Sequence, residues 1–447
     1  MSLQETPIRD AADQLDVENL NFVSSSESLG IYKYKPPSRW KRGIWVNMAT
    51  FSAKWLRATA VATKSEPWSS LQGKDVIVPI TSLNQLRSVA PVTTGFAKAG
   101  VLSLHRDIAG PRFPEFMAYG RSLRFLGRLL DLKSRAAGYR RIGLMHDLDR
   151  YLLTYGYFIT SVRLLRRLRP KLVLVANDHI METRTFVKAA AHLGIRAAYV
   201  QHASVSAGFP PLAFDIAFLD GRDAAEKYDV PGPGRPLVFL SGIPKADEAR
   251  SRARPRTALA RLGICVNVLD PMEPVRDFAN EMRLLAPEVE LVLRPHPSDR
   301  RPWGSRLPGV EVSDSKEESS FDFLDRVDAI VTGPSNIALE AALVGVRSVF
   351  VDFGKLGRDH YGFVRRGLCE RAETPAAALE LLDPRRSSVD VASALKAYCA
   401  TVGTAYDGRS SQLVRELITE DLQGGIYMSR WQSVPGFAHI DVFELIP

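Results

Sequence analysis

Cysteine is scarce in this chain: Cys265, Cys369 and Cys399 are three in 447 residues, an odd number with no metal-ligand spacing. That excludes a disulfide framework and a cysteine-held zinc site, and it fits a reducing compartment. No apolar run of about eighteen residues occurs, so no segment reads as a membrane span. The opening MSLQETPIRDAADQ has neither the basic region nor the apolar core of a secretory signal, so a cytoplasmic location is the expectation. Aromatic-interleaved basic strands, a helix-turn-helix pattern and RNA-binding signatures are missing too. Nucleic acid is therefore a poor partner, despite a net charge of +9. No internal repeat is evident.

The length of 447 residues exceeds what one core normally serves, and a 45% hydrophobic, 24% charged composition suits two globular halves. Two segments carry the chemistry: Val289 to Asp299, VELVLRPHPSD, and Asp328 to Asp352, DAIVTGPSNIALEAALVGVRSVFVD. Each starts as a buried β-branched strand that ends in a small, polar, turn-forming cluster. The second cluster opens into a helix from about Ser335 to Val344, with Pro334 set for its start and Gly345 for a left-handed stop. In a parallel sheet, ligands bind beyond the carboxyl ends of the strands, and free N–H groups there attract phosphate. His296 and the pair Ser335 and Asn336 lie at two such ends, and together they predict a nucleotide phosphate pocket.

Glu340 is the odd residue of an otherwise apolar helix, four positions after Asn336 and on the same face. A carboxylate there can accept from ribose hydroxyls; a solvated helix glutamate is the plainer alternative. His296 stands between prolines in Arg294-Pro295-His296-Pro297-Ser298, a stiff loop that fixes its imidazole. Near neutral pH it can place charge beside a phosphate or give it a proton, unless it merely caps a rigid turn.

With RPHPS after one strand and TGPSNIALEAALVG after the next, the chain resembles GT-B glycosyltransferases of bacterial surface polysaccharides. It is most similar to the sialyltransferases and Kdo transferases that use CMP-sugars, and to the CDP-glycerol polyol-phosphate transferases. UDP-N-acetylglucosamine 2-epimerases share the layout but carry glycines and two acidic residues where this chain has Ser335 to Glu340. The resemblance implies two Rossmann-like domains facing a cleft, with Arg294, His296 and Ser335 at the nucleotide phosphate. It extends from about Pro170 to about Leu417. Lys171 to Asp178, KLVLVAND, and Ile195 to Gln201, IRAAYVQ, followed by His202, look like the "ND…E…VQHG" pattern of capsule transferases, with Ala203 in place of the last glycine. Asp178, Glu182 and His202 are the candidates it offers for activating an acceptor hydroxyl. Read from the residues alone, Asp178 can cap the following helix, Glu182 can serve its dipole and His202 can be a satisfied loop histidine.

Leu237 to Pro244 reads as a strand and glycine turn that open the second domain, with Gly242 letting backbone approach the donor. Asp359, His360 and Tyr361 follow the strand ending at Asp352 and can rim the pocket. The expected division is a polar arm over 1–40, an acceptor-side domain over 41–236, a nucleotide-sugar domain over 237–390, and helices with a tail crossing back over 391–447. Basic stretches at Arg121 to Arg141, Arg163 to Lys171 and Arg250 to Arg261 suit an acidic polysaccharide or the anionic inner face of the plasma membrane, where lipid-linked acceptors reside. The resulting expectation is a metal-independent transferase moving an acidic sugar from a CMP-sugar to a glycan acceptor, with no cofactor. CDP-glycerol transfer, a UDP-sugar 2-epimerase and an inert sugar-nucleotide-binding protein remain the alternatives.

Overall fold

The computed structural model describes residues 6–27, 43–62, 66–105, 107–254, 256–386 and 391–446. Fourteen short strands arise where β-branched and aromatic residues run together between polar turns. They are β1 (Val76–Ile80), β2 (Ala99–Ser103), β3 (Leu172–Val175), β4 (Arg196–Val200), β5 (Ile216–Leu219), β6 (Leu237–Leu240), β7 (Arg261–Val266), β8 (Glu290–Pro295), β9 (Glu311–Val312), β10 (Ala329–Thr332), β11 (Arg347–Val351), β12 (Glu370–Ala372), β13 (Trp431–Val434) and β14 (Asp441–Leu445). Strands such as β1, β3 and β10 are buried along their whole length, as a parallel sheet covered by helices on both faces requires.

The strands form two sheets, in the orders β13-β14-β6-β5-β4-β3-β1-β2 and β12-β11-β10-β7-β8-β9. All pairs are parallel except β13 with β14. Each sheet reverses its direction of growth once. In the first, β1 is followed by β2 on one side and by β3 on the other; in the second, β7 is followed by β8 on one side and by β10 on the other. These reversals are the topological switch points at which parallel sheets open a crevice for ligands.

The Leu148–Leu168 helix, apolar nearly all round, runs through the middle of the first half and is buried over most of its length. Its C-cap Arg169 takes the left-handed conformation at φ 52° and turns the chain into β3. The Ser410–Leu422 helix returns to the first half and buries Leu413, Val414 and Leu417 in the core beside β1 and β5.

Two expectations are corrected. The strand at Leu237–Leu240 pairs with β5 and β14 in the first sheet, so the second sheet starts at β7 and not at residue 237. The first residues are not a loose arm: Thr6–Asp13, Val17–Leu20 and Phe22–Ser25 are helical, and Ile8, Ala12, Leu15, Val17 and Leu20 are buried in the main core. Ile8 and Ala12, four apart, share a face of the first helix, Val17 and Leu20, three apart, share a face of the second, and Asn21 Nδ2 donates to Thr154 Oγ1 at 2.9 Å. The basic KYKPPSRWKR stretch expected in that arm lies outside the described residues. The basic stretch from Arg121 spans the end of the Glu115–Ser122 helix, a 3-10 turn at Leu123–Phe125 and the Leu126–Arg135 helix. Finally, the aromatic tail supplies two strands: Trp431 and Val442 are buried, and Trp431 stacks edge-on against Phe239 of β6.

Candidate functional site

In the second half, the loops after β7, β8 and β10 surround the switch point. His296 is solvent-exposed just beyond β8, and its Nδ1 accepts from the Ser298 backbone N–H at 3.2 Å while facing the Ser298 hydroxyl at 2.7 Å. An acceptor Nδ1 puts the ring proton on Nε2, the nitrogen aimed away from its own loop. Burial of part of the ring lowers its pKa, so the resting imidazole is neutral near pH 7 and donates from Nε2. Beyond β10 come Gly333, Pro334 and the partly exposed Ser335, with the helix starting only at Ile337. Asp270, after β7, lies beside Gly333: a Cβ on that glycine would stand 3.2 Å from Asp270 Oδ1. Asp270 Oδ1 is buried without a hydrogen-bond partner among the described residues, and burial pushes the carboxyl up to about 6.

Three residues assigned to the nucleotide are used otherwise. Arg294 is buried; its guanidinium donates to Ser313 Oγ at 2.9 Å, pairs with Glu318 at 3.2 Å and covers the Phe323 ring at 4.9 Å. Both terminal nitrogens of its guanidinium are thus engaged within the second half. Glu340, expected to hold ribose, accepts from Lys245 Nζ at 2.6 Å and from Asn336 Nδ2 at 3.1 Å. Burial pushes that carboxyl up, but Lys245 outweighs it and holds the pKa below the ordinary value. Gly242 does adopt a left-handed φ of 74°, but a Cβ there would meet Thr401 Oγ1 at 2.2 Å and Ser410 Oγ at 2.4 Å. The close approach is therefore to the chain's own hydroxyls.

In the first half, Asp178 follows β3 and is buried. It accepts from Tyr228 Oη at 2.8 Å and from His179 Nδ1 at 2.9 Å. Burial raises its pKa, and these hydrogen bonds more than offset it, so the carboxylate stays ionised. The Met181–His192 helix has no side-chain cap; the turn before it is held by Asn177, whose Oδ1 accepts from the backbone N–H groups of His179 and Ile180. The arrangement is a carboxylate that orients an imidazole, and the imidazole is His179, next in sequence, which sequence reasoning passed over. Its ring lies 6.3 Å from that of His202. His202 Nδ1 is buried without a partner among the described residues, and burial, reinforced by the neighbouring His179 and Lys245, drives its pKa down to about 4. His202 is therefore a neutral imidazole at physiological pH. Glu182 stands apart from both, paired with Arg150 Nη2 at 2.6 Å.

Two residues absent from the sequence reading complete the cluster. Lys245, after β6, reaches across to Glu340, and Asp220, after β5, is buried with an unpartnered Oδ1. Burial pushes the Asp220 carboxyl well above the ordinary range, against the pull of Lys245. Neither stands in a motif; a single apolar-flanked charge after a strand, LFLD-like in FLDG and IPKA, was the available signal.

The halves meet at this cluster. The Ser204 backbone N–H, two residues past His202, donates to Asn336 Oδ1 at 3.0 Å, and Lys245 closes on Glu340. The rim segment contributes to the same contact: Tyr361 O accepts from Lys227 Nζ at 2.8 Å, and Arg366 pairs with Asp223 at 2.9 Å. Asp359 accepts from the Arg365 N–H, and His360 is exposed beside the Tyr361 ring. Of the three, Tyr361 joins the halves, and only His360 is open to solvent.

Two parallel sheets with facing switch points and a helix returning to the first half have a counterpart among solved structures. A putative UDP-N-acetylglucosamine 2-epimerase from Listeria monocytogenes superposes with a TM-score of 0.52 at 16% identity, covering 78% of this chain and 97% of that one. The fold is GT-B. Weaker similarities include the glycotransferase of kitacinnamycin, with a TM-score of 0.49 and 15% identity over 78% of this chain and 99% of that one. A wall teichoic acid polymerase follows, with a TM-score of 0.46 and 9% identity over 85% and 98%. No protein-family model matches the chain, and no curated protein matches it.

Proposed function

We propose that this protein binds a nucleotide sugar at the β7/β10 switch point and transfers the sugar to a hydroxyl held against the first half. The observation that carries the reading is the hydrogen bond between Ser204 and Asn336, which joins the loop of His202 to the turn of Ser335. It supports a reading in which the loop of His202 and the turn of Ser335 face one crevice. On the phosphate side, His296 Nε2–H and the Ser335 hydroxyl can both donate to a leaving group whose negative charge grows in the transition state. On the acceptor side, Asp178 holds His179 so that the ring can take a proton as the acceptor oxygen attacks.

The donor we favour is a CMP-linked acidic sugar of the Kdo or sialic acid type, by resemblance of the RPHPS and TGPSN motifs, and the acceptor a glycan or lipid-linked glycan. Trp45 and Leu56, both exposed on one face of the Ile44–Ala62 helix, support a peripheral contact with a membrane surface. A ligand bound only by the folded state raises its melting temperature, so CMP should raise it more than UMP, UDP or GDP does. CMP release from a CMP-sugar in the presence of acceptor is the direct assay. CMP release from CDP-glycerol alone would redirect the assignment to polyol-phosphate transfer, and acceptor-free interconversion of UDP-sugars would redirect it to an epimerase.

A further inference from the structure

A cavity lies in the first half, apart from the cluster at the junction of the halves. It occupies about 440 Å³ past the end of β2, between the Ile44–Ala62, Glu115–Ser122 and Leu148–Leu168 helices, and the first turn of Met181–His192 closes it. That size suits a ligand of one or two rings. It adjoins the β1/β3 switch point, where a parallel sheet offers a crevice.

Its wall is charged and close to balanced, with the Glu115 carboxyl also present protonated near neutral pH. Lys54, Arg57, Arg112 and Arg150 stand against Glu66, Glu115, Asp149 and Glu182. Lys54 Nζ already meets Asp149 at 2.5 Å and Arg150 Nη2 meets Glu182 at 2.6 Å. An ionic ligand would leave one charge without compensation in a partly desolvated space, which is costly. A neutral ligand rich in hydroxyls can instead donate to the carboxylates and accept from the guanidinium groups while the ion pairs persist. Trp68 and Phe116 add apolar surface for the C–H face of a ring. We propose that this cavity binds an uncharged sugar ring of the acceptor, with Glu115 as its central hydrogen-bonding group.

Glu115 suits that role because burial, reinforced by Glu182, pushes its carboxyl up to about 7. Near neutral pH it exists in both forms, able to donate to a sugar oxygen or accept from a sugar hydroxyl. Calling the ligand an acceptor rests on the transfer reading above; the binding itself does not, and can be read without any donor.

The experiment is saturation-transfer NMR on the full chain with methyl glycosides of glucose, galactose and N-acetylglucosamine, and with glucose 6-phosphate as the charged counterpart. At least one neutral glycoside should bind, the phosphate at least about ten-fold more weakly, a difference of about 1.4 kcal/mol. Glu115→Leu should weaken the neutral ligand by about ten-fold or more. Met117 lines the cavity mouth and is 40% exposed, so Met117→Trp should block binding without disturbing the core, which covers a Glu115 variant that fails to fold. Absence of binding by every neutral glycoside, or unchanged binding in Met117→Trp, overturns the proposal. Nucleotide binding is measured in parallel: glycoside binding with no nucleotide binding sinks the transfer reading and leaves the cavity standing, and the reverse sinks only the cavity.

Discussion

Replacing Lys245 with methionine removes the cation from an ion pair that joins the two halves and leaves the buried Glu340 carboxylate without the cation it pairs with. The Lys245 side chain is 12% exposed and that of Glu340 8%, with 2.6 Å between the charged atoms. At an effective dielectric of about 20 that separation corresponds to roughly 6 kcal/mol of gross attraction, much of it cancelled by desolvation. What remains when one partner is deleted is the stranded charge, about 3 to 5 kcal/mol. For a half of about 200 residues this lowers the melting temperature on the order of 10 °C. The double variant Lys245→Met with Glu340→Met should recover most of the loss, since replacing both buried partners with apolar groups is often nearly neutral. Thermal melts of the three proteins by circular dichroism measure this directly. The sign with pH follows from the depressed Glu340 carboxyl: its stabilisation is complete above the ordinary glutamate range and fades as acid titrates through the lower folded value. A Lys245→Met protein melting within about 1 °C of the parent at pH 7 would refute the account, because a stranded buried charge of that cost cannot be thermally silent.

Asp178→Asn should lower transferase turnover roughly 10² to 10⁴-fold with nucleotide affinity almost unchanged, because it releases His179 and not the phosphate side; equal losses in both quantities would count against the division of roles. Gly242→Ala should cost at least about 2 kcal/mol, from a left-handed φ and a Cβ driven into Thr401 and Ser410, seen as a drop in denaturation midpoint. His202 is depressed from 6.5 to about 4, so the unfolded chain binds the extra proton between those values and stability falls as pH drops through that window, by up to about 3 kcal/mol. His202→Gln should flatten that part of the stability profile in urea titrations at pH 7, 6 and 5. His296→Ala should keep its fold, since the ring is exposed, and lose about 10² to 10³-fold in turnover.

What the sequence disclosed follows from how local each signal is. The strand Ala329–Thr332 and the turn after it were readable because four buried residues end abruptly in Gly333-Pro334, and both the periodicity and the break lie within one short segment. His296 and Ser335 were legible for the same reason: each closes such a strand. Leu237–Leu240 was equally readable as a strand, but no residue in it states which sheet it joins; that depends on β5 and on β14, some two hundred residues away. Glu340 and Arg294 show the same limit for side chains. Helical position and motif suggested a ligand, and the partners that occupy them, Lys245 and Glu318, come from other segments. Asp220 stands in no motif, and its carboxyl is perturbed only because the surrounding core closes over it, against the pull of Lys245.

The placement of β14 has a consequence for how the chain is made. Asp441 pairs with Leu237, so β6 waits as an open edge while 204 further residues are synthesised. At about 5 to 20 residues per second that interval is on the order of 10 to 40 seconds, long compared with strand pairing. Through it the nascent first half presents unpaired backbone N–H and C=O groups, flanked by Val238 and Phe239, to any extended segment nearby. Removing residues 424–446 should therefore leave a protein prone to edge-to-edge association, and supplying the β13–β14 hairpin as a separate peptide should suppress it.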